Sequence, residues 1–195
     1  EARGKVNGLI TQNVDGLHQK AGSHNVVDLH GRSDKVVCLS CGLKAGRRAL
    51  QRELSQLNRR WFNMYAAAAG DESLRRSDGD VAVESAFFHD FAVPCCRRCG
   101  GVLKPDVTFF GDNVARQVVD KAYGLVNEAD SLLVVGTSLM VYSGFRFVKK
   151  AQEQKKGILI INIGETRADK ECIPHIKLES NSSELLTHAI LQKDL

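Results

Sequence analysis

The sequence lacks any apolar run long enough to cross a membrane. Its longest apolar stretch, Leu132 to Val141, is interrupted by Gly136, Thr137 and Ser138. Because a membrane-spanning helix needs about 18 or more apolar residues, the sequence predicts a soluble protein. The chain begins at Glu1 without a charged and then apolar leader, so it shows no targeting segment, and we expect it to be a fragment that lacks an N-terminal piece.

The sequence also lacks a strong charge of either sign. Its 27 basic and 23 acidic residues leave a net charge of +4. Basic pairs such as Arg47–Arg48 and Lys149–Lys150 are scattered, without aromatic residues between them. Nucleic-acid-binding domains concentrate such residues on one face, so we expect neither a nucleic-acid nor a membrane partner. A length of 195 residues allows one domain, or one domain with a small satellite, and an apolar content of 43% is enough for a core.

Three apolar runs predict buried parallel strands: Val6–Thr11, Ser131–Gly136 and Gly157–Ile163. Each is apolar almost throughout, as expected of strands buried on both faces. A helical pattern, Ser143–Lys156, separates the last two. The alternation predicts an α/β fold with a Rossmann-like, doubly wound parallel sheet that is incomplete at the N-terminus. Before the second run, apolar residues recur at helical spacing and predict a further helix. They are Val114, Val118, Ala122, Leu125 and Ala129.

The remaining elements follow from shorter patterns. Ile176–Leu178 predicts a closing strand, and a helix is expected from about Ser183 to Gln192, with Ser182 or Ser183 as its N-cap. In the middle of the chain, Ala45–Phe62 predicts one helix. Ala66–Asp80, rich in small and charged residues, predicts a mobile excursion.

Four of the six cysteines form two Cys-x-x-Cys pairs, Cys38 with Cys41 and Cys96 with Cys99. Glycine follows each pair and lets backbone amides turn toward the sulfurs. Four thiolates suit a tetrahedral Zn²⁺ and leave no open position, so we predict one structural zinc ion per chain. A redox or disulfide pair is the alternative.

The other two cysteines are left outside this site. Only Cys96 has the two-residue spacing to Cys99, which excludes Cys95 from the metal site. Cys172 is interpreted as a small apolar residue.

The sequence predicts two domains. A nucleotide-binding domain is expected to contain residues 1–35 and 103–195, and a zinc-binding module is expected to contain residues 36–102, because the cysteine pairs lie in the part of the chain that breaks the alternation of strands and helices.

Polar residues follow each of the three predicted strands. In open α/β sheets, ligands bind beyond the carboxyl ends of the strands. A Gly-Thr-Ser sequence alone is more often a capped turn, but three polar segments on one edge predict a nucleotide site. The residues are Gln12, Asn13 and Asp15, then Gly136, Thr137 and Ser138, then Asn162 and Gly164.

Two histidines lie near the first of these segments. His30 precedes Gly31 at a chain reversal, and the nearby Asn13 and Asp15 favour a role as a general base over a structural role. His18 lies on a predicted helix and is interpreted as structural.

Several motifs together resemble the catalytic core of a sirtuin, from about Leu9 to Leu186. They are "TQNVDGLH", "DLHG", the two cysteine pairs, "GGVLKPDVTFFGD", "VVGTSLMVYSG" and "INIGETRAD". The wide separation of the cysteine pairs, "LKPDVTFFGD" and "VYSG" resemble most closely the class II branch, which includes a mitochondrial member. "VYSG" departs from the proline-containing version of other branches.

The resemblance implies an NAD-dependent protein-lysine deacylase, of the deacetylase or lipoamidase type. Such an enzyme acts on acylated-lysine proteins or peptides and releases nicotinamide and O-acyl-ADP-ribose. His30 would be the base that activates a ribose hydroxyl. The implied NAD-binding residues are Gln12, Asn13, Val14 and Asp15 near nicotinamide, Gly136, Thr137 and Ser138 near phosphate and ribose, Asn162, Ile163 and Gly164 near the adenine ribose, and Ser182 near adenine.

The resemblance also implies that Val107–Gly111 lines an acyl-lysine tunnel and pairs with the substrate peptide as an added strand. The alternative is a buried strand with Phe109 and Phe110 in the core. A family member should begin with a glycine-rich phosphate turn, and none precedes Leu9, so we expect weak NAD binding or inactivity of this fragment alone.

Other functions stay open at this point. Mono-ADP-ribosyl transfer to protein uses the same NAD chemistry, and a catalytically weak, zinc-stabilised binding module is a further alternative. A dehydrogenase is disfavoured because no second acid–base set accompanies His30. Family likeness implies the mitochondrial matrix, with a bacterial cytoplasm as the alternative.

Overall fold

The computed structural model describes residues 1, 3–65 and 90–191. These residues form two compact units, Glu1–Gly31 with Thr108–Leu195, and Arg32–Val107. The predicted excursion Ala66–Asp80 lies outside the described residues, and the domain boundaries expected from the sequence stay a prediction. No helix in the described part of the chain is long and apolar enough to cross a membrane.

Strands and short helices alternate along the chain. The first half contains β1 (Leu9–Thr11), α1 (Leu17–Lys20), β2 (Val26–Asp28), β3 (Gly31–Cys38), β4 (Lys44–Gly46), α2 (Arg47–Leu57) and α3 (Arg59–Tyr65). The second half contains β5 (Leu103–Val107), α4 (Arg116–Glu128), β6 (Ser131–Val135), α5 (Tyr142–Glu153), β7 (Gly157–Ile161), α6 (Arg167–Lys170), β8 (Ile176–Leu178) and α7 (Ser182–Leu191).

All described strand pairs of the first unit are parallel. β1 pairs with β2, placing Ile10 opposite Val27, and β6, β7 and β8 form a second sheet in that order. Parallel neighbours require a crossover connection, and α1, α5 and α6 supply the connections within these two groups. The predicted α/β fold with parallel strands is confirmed.

The core of the first unit lies where α4 and α5 pack against the parallel strands. Phe145, Ala122 and Ile160 are fully buried there. The helical spacing seen in the sequence explains the packing of α4, because its apolar residues three and four apart fall on one face. Val118 and Leu125 accordingly pack against this core.

The structure corrects the prediction that each strand is buried on both faces. In β6, Val134 is buried, whereas Leu133 is 49% and Val135 is 37% exposed. Successive strand residues point to opposite faces, so only one face of β6 is covered among the described residues. The first predicted strand is also shorter than expected, because Val6 lies outside β1 and is 46% exposed.

Two helix predictions are also corrected. Ala45–Phe62 is not one helix: β4 occupies its first residues, and the helical path is divided at Asn58 between α2 and α3. At α7, the capping side chain is Asn181 rather than Ser182 or Ser183. Its Oδ1 accepts from the backbone N–H of Ser183 at 2.9 Å, which satisfies a donor left free at a helix start.

The second unit is built on a sheet of order β4-β3-β5, in which β3 and β4 are antiparallel. The Asn58 side-chain amide joins two parts of this unit that are distant in sequence. Its Nδ2 donates to the carbonyl oxygen of Ala92 at 2.8 Å, and its Oδ1 accepts from the Ala92 N–H at 2.7 Å. Asn58 is only 5% exposed, so this pair of bonds satisfies a buried polar group.

Candidate functional site

His30 follows β2 and is hydrogen-bonded through both ring nitrogens. Its Nδ1 lies 3.1 Å from the carbonyl oxygen of Gln12, and its Nε2 lies 2.8 Å from Ser143 Oγ. A carbonyl oxygen can only accept, so Nδ1 carries the proton in the neutral ring. Nε2 is therefore the basic nitrogen, and the Ser143 hydroxyl donates to it.

The electrostatic surroundings favour the neutral form of this ring. Partial burial lowers the pKa of His30 below its ordinary value, although the Gln12 carbonyl acts in the opposite direction. Burial has this effect because it disfavours the charged imidazolium. A neutral imidazole with a fixed tautomer is the form that can accept a proton, so the geometry is that of a general base.

Gln12 connects His30 to the second parallel sheet. While its carbonyl oxygen orients His30, its Nε2 donates to Thr137 Oγ1 at 3.3 Å. Gly144 on α5 allows this approach, because a Cβ there would lie 2.8 Å from Gln12 Nε2. The structure thus brings together two predicted polar segments, one after β1 and one after β6.

The other residues after β1 form a short capped turn. The Asn13 N–H donates to Thr11 Oγ1 at 3.1 Å, and Asp15 Oδ1 accepts from the Leu17 N–H at 2.9 Å at the start of α1. His18 lies on α1, as predicted, and its carbonyl oxygen accepts from the Ser23 N–H. Asn13 and Asp15 are exposed at this turn, and Val14 is partly buried.

Gly136 of the predicted phosphate side and the predicted adenosine-side residues lie beyond β6, β7 and β8. Gly136 has a φ of +61°, and a Cβ on it would lie 3.7 Å from Ser182 Oγ. Asn162 Nδ2 donates to the carbonyl oxygen of Ile163 at 2.9 Å, and the Gly164 N–H donates to Glu179 Oε1 at 3.2 Å. The carboxyl ends of the three parallel strands therefore present backbone and hydroxyl groups at one edge.

A network around Asp169 holds the turn that follows this edge. Its carboxylate accepts from the Thr166 N–H, from Lys177 Nζ at 2.7 Å and from His175 Nε2 at 3.1 Å. Lys177 contributes most to lowering the pKa of the Asp169 carboxyl, followed by the Thr166 backbone N–H. Thr166 in turn accepts from the Asp169 N–H, which completes a capping box at the start of α6.

The segment after β5 is exposed rather than buried. Phe109 is 53% and Phe110 is 96% exposed, so the alternative of a buried strand with both rings in the core is wrong. The Thr108 N–H donates to the carbonyl oxygen of His30 at 2.9 Å. This hydrogen bond fixes the start of the exposed segment beside the candidate base.

One residue of the His30 site was missed by sequence reasoning. Ser143 belongs to a predicted helix and to the motif "VYSG", and its contact with His30 joins residues 113 positions apart. The signal available in the sequence was a serine and a glycine in the first turn of α5. Neither helical periodicity nor strand order indicates which distant side chain such a serine meets.

The four predicted metal-binding cysteines converge in the second unit. The sulfurs of Cys38, Cys41, Cys96 and Cys99 all lie within 4.8 Å of one another. Two of the distances are 3.5 Å, from Cys38 to Cys99, and 3.8 Å, from Cys41 to Cys96. A tetrahedral zinc site with bonds of about 2.3 Å has its sulfurs about 3.8 Å apart, so the cluster fits zinc.

The two cysteine pairs have the same backbone arrangement. The Gly42 N–H donates to the Cys38 carbonyl oxygen, and the Gly100 N–H donates to that of Cys96. Both glycines have positive φ, +69° and +72°, a conformation that other residues adopt at a cost. Gly101 also permits close packing, because a Cβ there would lie 2.9 Å from Cys38 Sγ.

The thiols of this cluster influence one another's ionisation. The Cys41 backbone N–H contributes most to lowering the pKa of the Cys38 thiol to about 6. The Gly101 N–H favours ionisation of Cys99, but hydrogen bonds with the Cys41 and Cys38 sulfurs outweigh it and raise the pKa of Cys99 to about 12. Neighbouring thiols cannot all ionise without a counter-charge, which a divalent metal ion supplies.

The sequence pattern of the Sir2 family matches residues 1–143. The chain belongs to the Sir2 family. A Sir2 structure described as "Sir2-p53 peptide-NAD+" superimposes on the chain with a TM-score of 0.72 at 26% identity, covering 98% of this chain and 65% of that one. A "Structure of Sir2Tm bound to a propionylated peptide" gives the same values for identity and TM-score and the same 98% coverage of this chain. These likenesses confirm the predicted Rossmann-like fold.

Two curated Sir2 relatives are similar at the sequence level. A Bradyrhizobium diazoefficiens protein named NAD-dependent protein deacetylase 2 is 50% identical over 169 residues, covering 87% of this chain and 59% of the relative. A Bos taurus protein named NAD-dependent protein lipoamidase sirtuin-4, mitochondrial, is 49% identical over 186 residues, covering 95% and 56%. The chain thus spans less than two thirds of the length of these relatives.

Proposed function

We propose that the chain is the larger part of an NAD-dependent protein-lysine deacylase. The observation that carries the proposal is His30, a partly buried imidazole whose tautomer is set by the Gln12 carbonyl and whose unprotonated Nε2 accepts a hydrogen bond from Ser143. Such a base activates a hydroxyl group without itself bearing charge at neutral pH. The names of the bacterial and bovine relatives support the same reaction class.

The polar edge of the parallel strands is proposed to bind NAD. Bound NAD would supply the ribose carbon from which nicotinamide departs. Gln12, Asn13, Val14 and Asp15 would line the nicotinamide and ribose side, and Gly136, Thr137 and Ser138 the phosphate side. Asn162, Ile163, Gly164 and Ser182 would address the adenosine part. This assignment is supported by the Gln12–Thr137 hydrogen bond and by the proximity of Gly136 to Ser182.

The remaining parts of the proposal follow from the exposure of two phenylalanine side chains and from the geometry of the four cysteine thiols. The exposed Phe109 and Phe110 would contact an acylated-lysine peptide, which agrees with the propionylated peptide named for a similar structure. One zinc ion held by Cys38, Cys41, Cys96 and Cys99 would be structural, because four thiolates leave no position for a substrate. Residues 1–35 with 103–195 would form the NAD-binding domain and 36–102 the zinc module.

Two finer points belong to the same proposal. Transfer of ADP-ribose to a protein side chain would use the same NAD-binding edge, so mono-ADP-ribosylation is an outcome that the assay must distinguish. The bovine relative is named as mitochondrial, and others are bacterial. We propose the mitochondrial matrix as the compartment, with a bacterial cytoplasm as the alternative.

The test uses the full-length protein with NAD and a panel of acetylated, propionylated and lipoylated lysine peptides. Nicotinamide and deacylated peptide are measured together, and ADP-ribosylated protein is measured separately. We expect both small products to appear and His30→Ala to lower turnover by about a hundredfold or more, with unchanged zinc content. Full activity of His30→Ala would contradict the assignment of the base. If nicotinamide is released and ADP-ribosylated protein forms without deacylated peptide, the activity is ADP-ribosyl transfer rather than deacylation.

A further inference from the structure

The basic nitrogen of His30 is directed at a hydroxyl of the chain itself. Ser143 Oγ lies 2.8 Å from Nε2, a short distance typical of a well-formed hydrogen bond. The Gln12 carbonyl fixes the proton on Nδ1, so the Ser143 hydroxyl is the donor. A substrate hydroxyl that is to lose its proton to Nε2 must either displace Ser143 or act through it.

The placement of Ser143 favours action through it. Ser143 is the second residue of α5, and Val141, the N-cap residue, receives no side-chain cap. Among the described residues, the Ser143 hydroxyl has no hydrogen bond other than that with His30, so it is not used to cap the helix. Oγ retains lone pairs that can accept a further hydrogen bond.

The backbone around this pair is held from two sides. Gly144 packs against the Gln12 side chain, where a Cβ would lie 2.8 to 3.2 Å from three of its atoms. The same Gln12 residue orients His30 through its carbonyl oxygen. The helix that carries Ser143 and the ring that it meets are therefore both fixed by Gln12, so the donor and the acceptor are positioned together.

We propose that Ser143 is a proton relay between a substrate hydroxyl and His30, an inference that rests on the proposed deacylase function. The substrate O–H bond breaks as its proton passes to Ser143 Oγ, while the Ser143 O–H bond breaks as its proton passes to Nε2. The products are a substrate oxyanion, an imidazolium and an unchanged serine, and nothing is oxidised or reduced. The imidazolium keeps both hydrogen bonds, to Gln12 and to Ser143.

The first test needs no NAD. In ¹⁵N-histidine NMR spectra of the 195-residue chain, we expect Nδ1 of His30 to be protonated and Nε2 to have the shift of an unprotonated, hydrogen-bonded nitrogen. Ser143→Ala should move the Nε2 resonance toward that of a nitrogen without a hydrogen bond, whereas Ser143→Thr should restore it. Ser55→Ala is the matched control, because Ser55 is a half-buried helical serine, like Ser143, and is bonded to the Gln51 carbonyl oxygen rather than to a histidine. An identical Nε2 shift in wild type and Ser143→Ala overturns the proposal.

The second test uses the full-length protein with NAD and its best acylated peptide. Ser143→Ala should lower kcat roughly tenfold, leave KM for NAD within about twofold, and change a curved dependence of rate on D₂O fraction to a linear one. Ser143→Thr should restore kcat and the curvature. A wild-type protein that releases no nicotinamide overturns both the proposed function and the relay. An active wild type with an unaffected Ser143→Ala variant overturns the relay alone.

Discussion

The two compact units hold their candidate sites in place by different means. The unit of Glu1–Gly31 and Thr108–Leu195 has a continuous core of buried apolar side chains from helices and parallel strands, with Phe145 fully buried. In the described part of Arg32–Val107, the buried apolar residues are Val36, Cys38, Pro94 and Cys96, and two of these are candidate metal ligands. Among the described residues, the first site thus rests on an apolar core, whereas the second is built on four thiols that fit a metal ion.

This difference determines how the stability of each unit should respond to a substitution or to loss of a metal ion. Removing one buried side chain from a packed core leaves the other contacts partly intact. Removing a metal ion from a four-thiol site removes the interaction on which the fold depends, because metal-binding energy is folding energy when the core is small. Three experiments, from the largest expected effect to the smallest, test this contrast.

The largest effect should come from loss of the metal. Cys38→Ser should reduce zinc well below one ion per chain and unfold the second unit, because structural zinc contributes on the order of 10 kcal/mol. Zinc measured by mass spectrometry and amide hydrogen exchange at Val36 and Val37 report the two outcomes. Exchange at Ile160, in β7, should change little.

The matched control for this experiment is Cys95→Ser. Cys95 is exposed and lies next to Cys96, but it is outside the four-sulfur cluster. The Cys95→Ser variant should keep a full zinc content, and its Val36 and Val37 amides should be protected from exchange as in wild type. Equal loss of zinc in Cys38→Ser and Cys95→Ser, or freshly purified wild type with little zinc, would refute the four-cysteine site.

A smaller effect is expected from the packed core. Phe145→Ala should lower the free energy of unfolding by about 3 to 5 kcal/mol, because it leaves a cavity among α5, α4 and the sheet. Urea denaturation measures the loss, and zinc content should stay unchanged. Phe110→Ala, which alters a side chain that is 96% exposed, is the control and should stay within about 0.5 kcal/mol of wild type. Equal losses in the two variants would show that Phe145 is not a core residue.

The smallest effect should be a pH-dependent one at Asp169. Its pKa is lowered in the folded state, so its contribution is fully present above the ordinary aspartate value of about 3.8 and is lost as the pH falls through the folded value. Asp169→Asn should therefore reduce stability at pH 7 by on the order of 1 kcal/mol or less, after allowance for solvent screening. The difference between variant and wild type should shrink in denaturation curves measured below about pH 4.

The control for Asp169 is Glu171→Gln. Glu171 pairs with Arg167 at 2.8 Å, but this is an exposed pair on the surface of the short helix α6. It should alter stability by a few tenths of a kcal/mol. A difference at Asp169 that stays constant from pH 7 to pH 3 would indicate a packing effect of the substitution rather than a charge effect.

Sequence reasoning succeeded where the signal is short in range. The two-residue spacing within each cysteine pair predicted the four sulfurs that converge, and periodicity predicted α4, α5 and the strands of the β6-β7-β8 sheet. The NAD-binding role of Gln12 and Thr137 rests on the rule that ligands bind beyond the ends of parallel strands, and it stays a prediction. Their hydrogen bond brings the two segments into contact.

Sequence reasoning failed where a side-chain contact, a helix boundary or the burial of a residue depends on distant residues or on competing hydrogen bonds. Ser143 meets His30 only after the chain has folded, so no spacing indicates the contact. Ala45–Phe62 has helical composition, but Asn58 bonds to the Ala92 backbone and the helix is interrupted there. Asn181 provides the cap of α7 although serines adjoin it, because its amide oxygen reaches the Ser183 N–H. Exposure of Leu133 reflects which elements cover β6, a property of the folded molecule.

The Asn58–Ala92 pair of hydrogen bonds has an evolutionary consequence. One side chain supplies both the donor for the Ala92 carbonyl oxygen and the acceptor for the Ala92 N–H. Aspartate keeps the shape of asparagine but lacks the donor, and alanine lacks both groups, so either substitution leaves a backbone group of Ala92 without this partner. Selection should therefore favour asparagine at position 58 in homologous proteins that keep this contact.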